Sequence, residues 1–159
     1  MGVSGAGKSL IAASLARALG FEFVEGDACH PPENVARMSA GIPLTDDDRQ
    51  AWLAAIAARL AGARPDTGLV VSCSALKRRY RDVLRAGTAD VQFVYLAGTR
   101  TLLARRLAGR RGHFMPSSLL DSQLAILEPP APDEHAWVCD IGEPPDRIVA
   151  GLIALIRSR

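Results

Sequence analysis

Two hydrophobic periods alternate along this chain. Residues 7–19 place Ile11, Leu15 and Leu19 on one face, the spacing of an amphipathic helix. A strand is expected over 21–25, ending at Gly26-Asp27. A helix over 31–40 follows, with prolines at its start and Gly41 at its end. Thr45 is then expected to N-cap a longer helix, with Asp46 to Asp48 complementing its positive end and Leu53, Ile56 and Leu60 forming its buried stripe. Residues 68–73 form an apolar run of the buried-strand type. A helix over 77–86 stops at Gly87, a strand spans 91–96 and a basic helix spans 100–110. A helix over 117–127, a strand over 137–141 and a last helix carrying Ile148, Leu152, Leu155 and Ile156 complete the order. Strands alternating with helices predict an α/β fold, a parallel sheet covered by helices on both faces. No repeat or linker divides the 159 residues, so a single domain over 1–159 is expected.

Composition narrows the class. Hydrophobic residues make up 48% and charged residues 23%, the balance of a soluble globular protein. No stretch approaches the roughly 20 apolar residues of a membrane span. No basic-then-apolar leader argues for secretion, and three cysteines without close pairing fit a reducing cytoplasm. A net charge of +2 gives no reason to expect nucleic acid. Of the 19 Lys and Arg residues only Lys8 and Lys77 are lysines, and both fall inside motifs.

The first motif is Gly2-Val3-Ser4-Gly5-Ala6-Gly7-Lys8-Ser9, a full match to the phosphate-binding pattern G-x-x-x-x-G-K-[ST]. Glycines let backbone N–H groups converge on phosphate oxygens, and the helix that follows directs its positive end there. Lys8 can reach the β- and γ-phosphates of a nucleotide, and the Ser9 hydroxyl can hold Mg²⁺. Such a loop is expected to follow a central strand, yet only Met1 precedes it. The first strand is therefore expected to be truncated, with Met1 as its last residue. Neighbouring strands lie about 4.8 Å to either side of such a strand, so its loss leaves a gap near 10 Å. Four or five buried side chains at roughly 1.5–3 kcal/mol each would be missing, comparable to a domain's stability of about 5–15 kcal/mol.

The acceptor side follows from the sheet. Carboxyl ends of parallel strands line the ligand crevice, which brings Asp27 near the phosphate loop. A carboxylate there can accept the proton of an attacking hydroxyl or help hold Mg²⁺. A turn or cap role is the plain alternative. His30, three residues on, can hydrogen-bond a hydroxylated substrate. Lys77 and Arg81 are four apart and share one helix face at the crevice mouth. Two cations there suit an anionic acceptor, and a solvated charged face is the alternative. The second apolar strand ends in Ser72-Cys73-Ser74 rather than Asp, which argues against an ATPase motor or GTPase. Arg105, Arg106, Arg110 and Arg111 precede Gly112 and Pro116, and a lid is expected at about 105–118. Arginines closing over the γ-phosphate stabilise the charge of phosphoryl transfer.

These residues resemble the bacterial gluconate kinases, within the shikimate-kinase-like P-loop kinases, along essentially the whole chain. Beyond the phosphate loop, the resemblance rests on G-D-A-C-H-P (26–31), N-V-A-R-M-S-A-G-I-P-L-T-D-D-D-R-Q-A-W-L (34–53), C-S-A-L-K-R-R-Y-R-D-V-L-R (73–85), R-R-G-H-F-M (110–115) and S-Q-L-A-I-L-E-P-P (122–130). It implies a three-layer P-loop kinase fold and transfer of phosphate from ATP to D-gluconate, giving 6-phospho-D-gluconate. By the same resemblance, Gly2 to Ser9 bind ATP and Mg²⁺ with Lys8 catalytic, and Asp27 is the base. His30, Arg49, Lys77 and Arg81 contact the substrate, and Arg106 and Arg110 are lid arginines. Members of the family tend to form homodimers. A same-fold kinase of shikimate or another sugar acid stays open as an alternative, as does a non-catalytic nucleotide-binding module or an inactive truncation. Shikimate kinases would carry a G-G-G run where this chain has C-S-A-L-K.

Overall fold

The computed structural model describes residues 1–64, 67–88, 90–109 and 118–158. Strands and helices alternate as the hydrophobic pattern predicts: α1 (Lys8–Leu19), β1 (Glu22–Glu25), α2 (Pro32–Ser39), α3 (Gln50–Ala61), β2 (Leu69–Ser72), α4 (Arg78–Ala86), β3 (Val94–Ala97), α5 (Arg100–Ala108), α6 (Ser118–Ile126), β4 (Trp137–Asp140) and α7 (Pro145–Arg157). Two single 3-10 turns, Gly26–Cys29 and Pro132–Glu134, follow β1 and precede β4.

All pairing is parallel. β1 lies beside β2 with Val24 opposite Val71, and β3 lies beside β4 with Leu96 opposite Cys139. One helical layer centres on Ile11, Leu15, Leu103, Ile148 and Leu152, and the other on Trp52, Leu53, Ile56, Tyr80 and Leu84. Helices thus cover both faces, as a buried parallel sheet requires. Leu155 is an exception to the expected stripe, because it faces outward on α7.

The two strand pairs do not bond directly to one another. Met1 and Gly2 stand between them. The Met1 amine donates to the Val94 carbonyl, Leu96 N–H donates to the Met1 carbonyl at 3.0 Å, and Gly2 N–H donates to the Ser74 carbonyl at 3.1 Å. Met1 therefore occupies the position expected for the end of a central strand. Beyond it lies a cavity of about 790 Å³, lined by Leu15, Ile56, Val71, Val94, Leu96 and Leu152 among others.

The expected helix start at Thr45 is displaced. Thr45 N–H donates to the Asp48 carboxylate at 2.7 Å and Asp48 N–H donates to the Thr45 hydroxyl at 3.2 Å, the reciprocal bonds of a capping box. Those bonds close a turn over 46–49, and regular helix begins only at Gln50, with Arg49 at its N-cap.

Candidate active site

The phosphate loop is fixed from below and open above. Val3 and Ala6 are buried in the core, and Ala6 N–H bonds back to the Val3 carbonyl at 3.3 Å. Gly7 caps α1 with φ 85°, a left-handed conformation that a side chain disfavours. The loop therefore turns sharply into the helix whose first residues are Lys8 and Ser9. Lys8 Nζ donates to the Val3 carbonyl at 3.1 Å, which folds the lysine over its own loop. Ser4 N–H donates to the Gln123 side-chain oxygen at 2.7 Å, tying the loop to α6.

Gly26 brings the acceptor side to the loop. A Cβ there would lie 2.1 Å from the Ser72 carbonyl, so only glycine lets the end of β1 close onto β2. Gly26 N–H donates to the Ser72 hydroxyl at 3.3 Å, and the Trp52 indole N–H donates to the Gly26 carbonyl at 2.8 Å. The following Asp27 then faces a cavity of about 290 Å³, at the small end of ligand pockets. Its walls include Ser4, Lys8, Asp27, His30 and Arg49, so five residues singled out in the sequence meet around one space. Met38, Leu44, Ser74 and Gln123 line it too. They were not singled out, although Gln123 lies in the S-Q-L-A-I-L-E-P-P segment.

The His30 ring stacks on Trp52 with centroids 4.5 Å apart and planes 7° from parallel. Burial, with the Arg49 cation adding to it, pushes its pKa down to about 4, so the ring is neutral at pH 7. Asn34 is fixed beside it by donating to the Asp48 carbonyl at 2.6 Å. Arg49 is 8% exposed, and its Nη2 donates to the Leu44 carbonyl at 3.2 Å.

Two residues expected to contact substrate are engaged within the protein here. Arg81 is fully buried, and its guanidinium is consumed internally. Its Nε and Nη2 donate to Glu134 at 2.5 and 2.7 Å, and Nη1 donates to the carbonyls of Ala75 and Glu128 at 3.1 Å each. Helix α4 turns the Arg81 side into the core. Lys77 is the N-cap of α4 and pairs with Asp46 at 2.9 Å. Arg79 and the Tyr80 hydroxyl also bond Asp46. Neither Lys77 nor Arg81 is among the described residues lining the 290 Å³ cavity.

α5 packs over the phosphate loop, since a Cβ on Gly5 would meet the Leu103 carbonyl at 3.0 Å. On that helix Arg106 donates to the Ile141 carbonyl at 2.7 Å. Arg110 and most of the predicted lid, residues 110–117, lie outside the described residues. The described residues contain no cluster of three or more side chains able to hold a metal ion, and no helix among them is long and apolar enough to cross a membrane.

Comparison with known proteins adds a separate line. A family model described as an AAA domain matches residues 1–130. A gluconokinase of Gluconobacter oxydans (strain 621H) is 49% identical over 154 residues, covering 96% of this chain and 86% of that protein. The thermoresistant gluconokinase of Escherichia coli (strain K12) is 42% identical over 160 residues, covering 99% and 91%. Among solved structures, a gluconokinase from Sinorhizobium meliloti 1021 superposes with a TM-score of 0.88 at 52% identity, covering 99% of this chain and 91% of that one.

Proposed function

This chain belongs to the gluconokinase family, and from that premise we propose that it transfers the γ-phosphoryl group of ATP to the 6-hydroxyl of D-gluconate. The observation that carries the reading is the single cavity holding phosphate-loop residues Ser4 and Lys8 opposite Asp27, His30 and Arg49. A donor and an acceptor bound there would meet between Lys8 and Asp27.

In the reaction the gluconate oxygen forms a bond to the γ-phosphorus as the bond from that phosphorus to the ADP oxygen breaks. The hydroxyl proton passes to Asp27, acting as general base. Lys8 leaves the Val3 carbonyl to neutralise charge on the β- and γ-phosphates, and the loop N–H groups take the remaining oxygens. Arg106 on α5 and Arg110 supply further positive charge at the phosphates. His30, kept neutral, offers hydrogen bonds to hydroxyls without repelling a cation.

Mg²⁺ bound with ATP supplies further charge neutralisation at the phosphates. Ser9 and Asp27 are the residues that would hold it. That small set fits a cation that keeps several waters and takes most of its other ligands from substrate phosphates. A cytoplasmic location fits a user of ATP with three free thiols.

The test is ADP release by the purified chain with Mg-ATP, with and without D-gluconate, with 6-phospho-D-gluconate identified as product. Gluconate-dependent release supports the reading. ADP release that does not depend on gluconate, or no release when the chain is folded, sinks it.

A further inference from the structure

Helix α6 carries Gln123 on its inward stripe. Leu120 is buried in the core cluster that also holds Val3, Ala6 and Leu103, and Leu124 and Leu127 pack against it. Gln123 follows Leu120 by three residues, where helical spacing favours another apolar side chain. The helix is held on both sides of it. Asp121 accepts from Arg100 of α5 through two bonds, at 2.8 and 2.9 Å. Glu128, just beyond α6, donates its N–H to the Leu76 carbonyl at 2.8 Å and accepts the Arg78 N–H at 2.6 Å. So placed, Gln123 lines the 290 Å³ cavity together with Ser4, Lys8 and Asp27.

The Gln123 Oε1 accepts the Ser4 N–H at 2.7 Å, a bond between residues 119 apart in sequence. It fixes which way round the amide stands, because a backbone N–H bonds the oxygen and not the NH₂ group. The other end of the amide, Nε2, carries only donors. A tether for the phosphate loop would need only an acceptor. A carboxylate would serve that purpose better, since a charged acceptor makes the stronger bond and complements the positive end of α1. A carboxylate would also repel phosphate and could not donate to it. A neutral amide that accepts from the loop and can donate at its other end is suited to a cavity through which a phosphoryl group passes.

We propose that Gln123 acts at the transfer step: with its oxygen held by Ser4, its Nε2 donates to an oxygen of the phosphoryl group as that group passes from ATP to the acceptor. This rests on the kinase reading above. The amide keeps both its protons, and its hydrogen bond strengthens as negative charge builds on the phosphoryl oxygens. The bond therefore stabilises the transition state more than bound ATP, and its loss falls on kcat.

The experiment measures kcat and both KM values with Mg-ATP and D-gluconate in the wild type, Gln123→Met and Gln123→Glu. Met keeps the length of the side chain and loses both bonds; an ionised Glu keeps the acceptor and loses the donor. At about pH 8 both variants should lose roughly 10²-fold in kcat, as expected when one donor to a developing oxyanion is removed. The gluconate KM should stay within about threefold, the mark of an interaction made mainly in the transition state. The ratio of Gln123→Glu to wild-type kcat should climb as pH falls from about 8 to about 5, because a protonated carboxyl regains a donor. Taking the ratio cancels the titration of Asp27. A merely structural tether gives a different pattern: Gln123→Glu keeps kcat within about threefold at about pH 8, since its carboxylate still accepts from Ser4. That result overturns the proposal, as does wild-type kcat in Gln123→Met or a ratio that does not change with pH. A second measurement needs no variant to fold. In ¹⁵N-labelled wild type the Gln123 side-chain NH₂ resonance should move when aluminium fluoride, a mimic of the transferring phosphoryl group, is added to the MgADP complex; an unmoved resonance overturns the proposal. If gluconate is not turned over, the kinase reading has failed, and the same pair of spectra decides about Gln123 separately: a shift supports its contact with the phosphoryl group, and no shift overturns it.

Discussion

Replacing Glu134 with glutamine removes the anion that neutralises Arg81 while leaving the shape of the side chain nearly unchanged. Both side chains are 1% exposed. Glu134 also accepts from Arg85 at 3.3 Å and from Ala131 N–H at 3.0 Å. Breaking one partner of a buried ion pair costs about 3–5 kcal/mol, because the other charge is left in a medium that cannot solvate it. For a domain of this length each kcal/mol lowers Tm by about 2–4 °C, so a fall of about 6–20 °C is expected. The pH dependence gives a second signature. The Arg81 guanidinium, as the largest influence, holds the Glu134 carboxyl down to about 2 against the opposing effect of burial. A carboxyl with a depressed pKa contributes stability that is complete above its ordinary value of 4.5 and is lost as pH falls through the native value. Wild type should therefore lose more stability than Glu134→Gln between about pH 4.5 and 2. Thermal melts over that range measure both effects. Assayed well below its melt, the variant should keep its gluconate KM within about twofold, since Arg81 braces the carbonyls of Ala75 and Glu128 and does not line the cavity. An unchanged Tm together with a tenfold rise in gluconate KM would refute this reasoning and return Arg81 to the substrate.

Asp27→Asn should cut turnover by roughly 10²-fold or more while leaving ATP binding nearly intact, read by steady-state kinetics and nucleotide titration; near-wild-type turnover removes Asp27 as the base. Because the His30 pKa lies at about 4 in the fold, kcat/KM for gluconate should show no inflection from His30 between pH 5 and 8; an inflection near 6.5 that disappears in His30→Gln contradicts the buried, neutral ring. The same depressed pKa means that His30 contributes stability above its ordinary value of 6.5, and that this is lost as pH falls toward 4. Fusing four or five apolar, β-branched residues ahead of Met1 should fill the 790 Å³ cavity, extend the ladder to Val94 and raise Tm by several degrees. An extension of equal length in Gly and Ser should not raise it, and equal effects from both would argue that the gap is not a strand site.

Much of this protein was legible in its sequence because the signals are local. Periodicity reports which face of a helix is buried, so α1 and α4 could be read within a residue or two of their ends. The phosphate loop could be read because its glycines and lysine act within eight consecutive positions, and Asp27 because a strand's end determines where the next residue stands. What sequence spacing could not decide was which cation faces the cavity. Lys77, Arg81 and Arg49 are alike in charge, and their fates depend on partners 31 residues away from Lys77 and 53 away from Arg81. Glu134 claims Arg81 and Asp46 claims Lys77, while the carboxylates nearest Arg49 are already bound. Tertiary structure decides this because a charge is assigned by where its counter-charge is buried, and that pairing is fixed only when distant segments pack together.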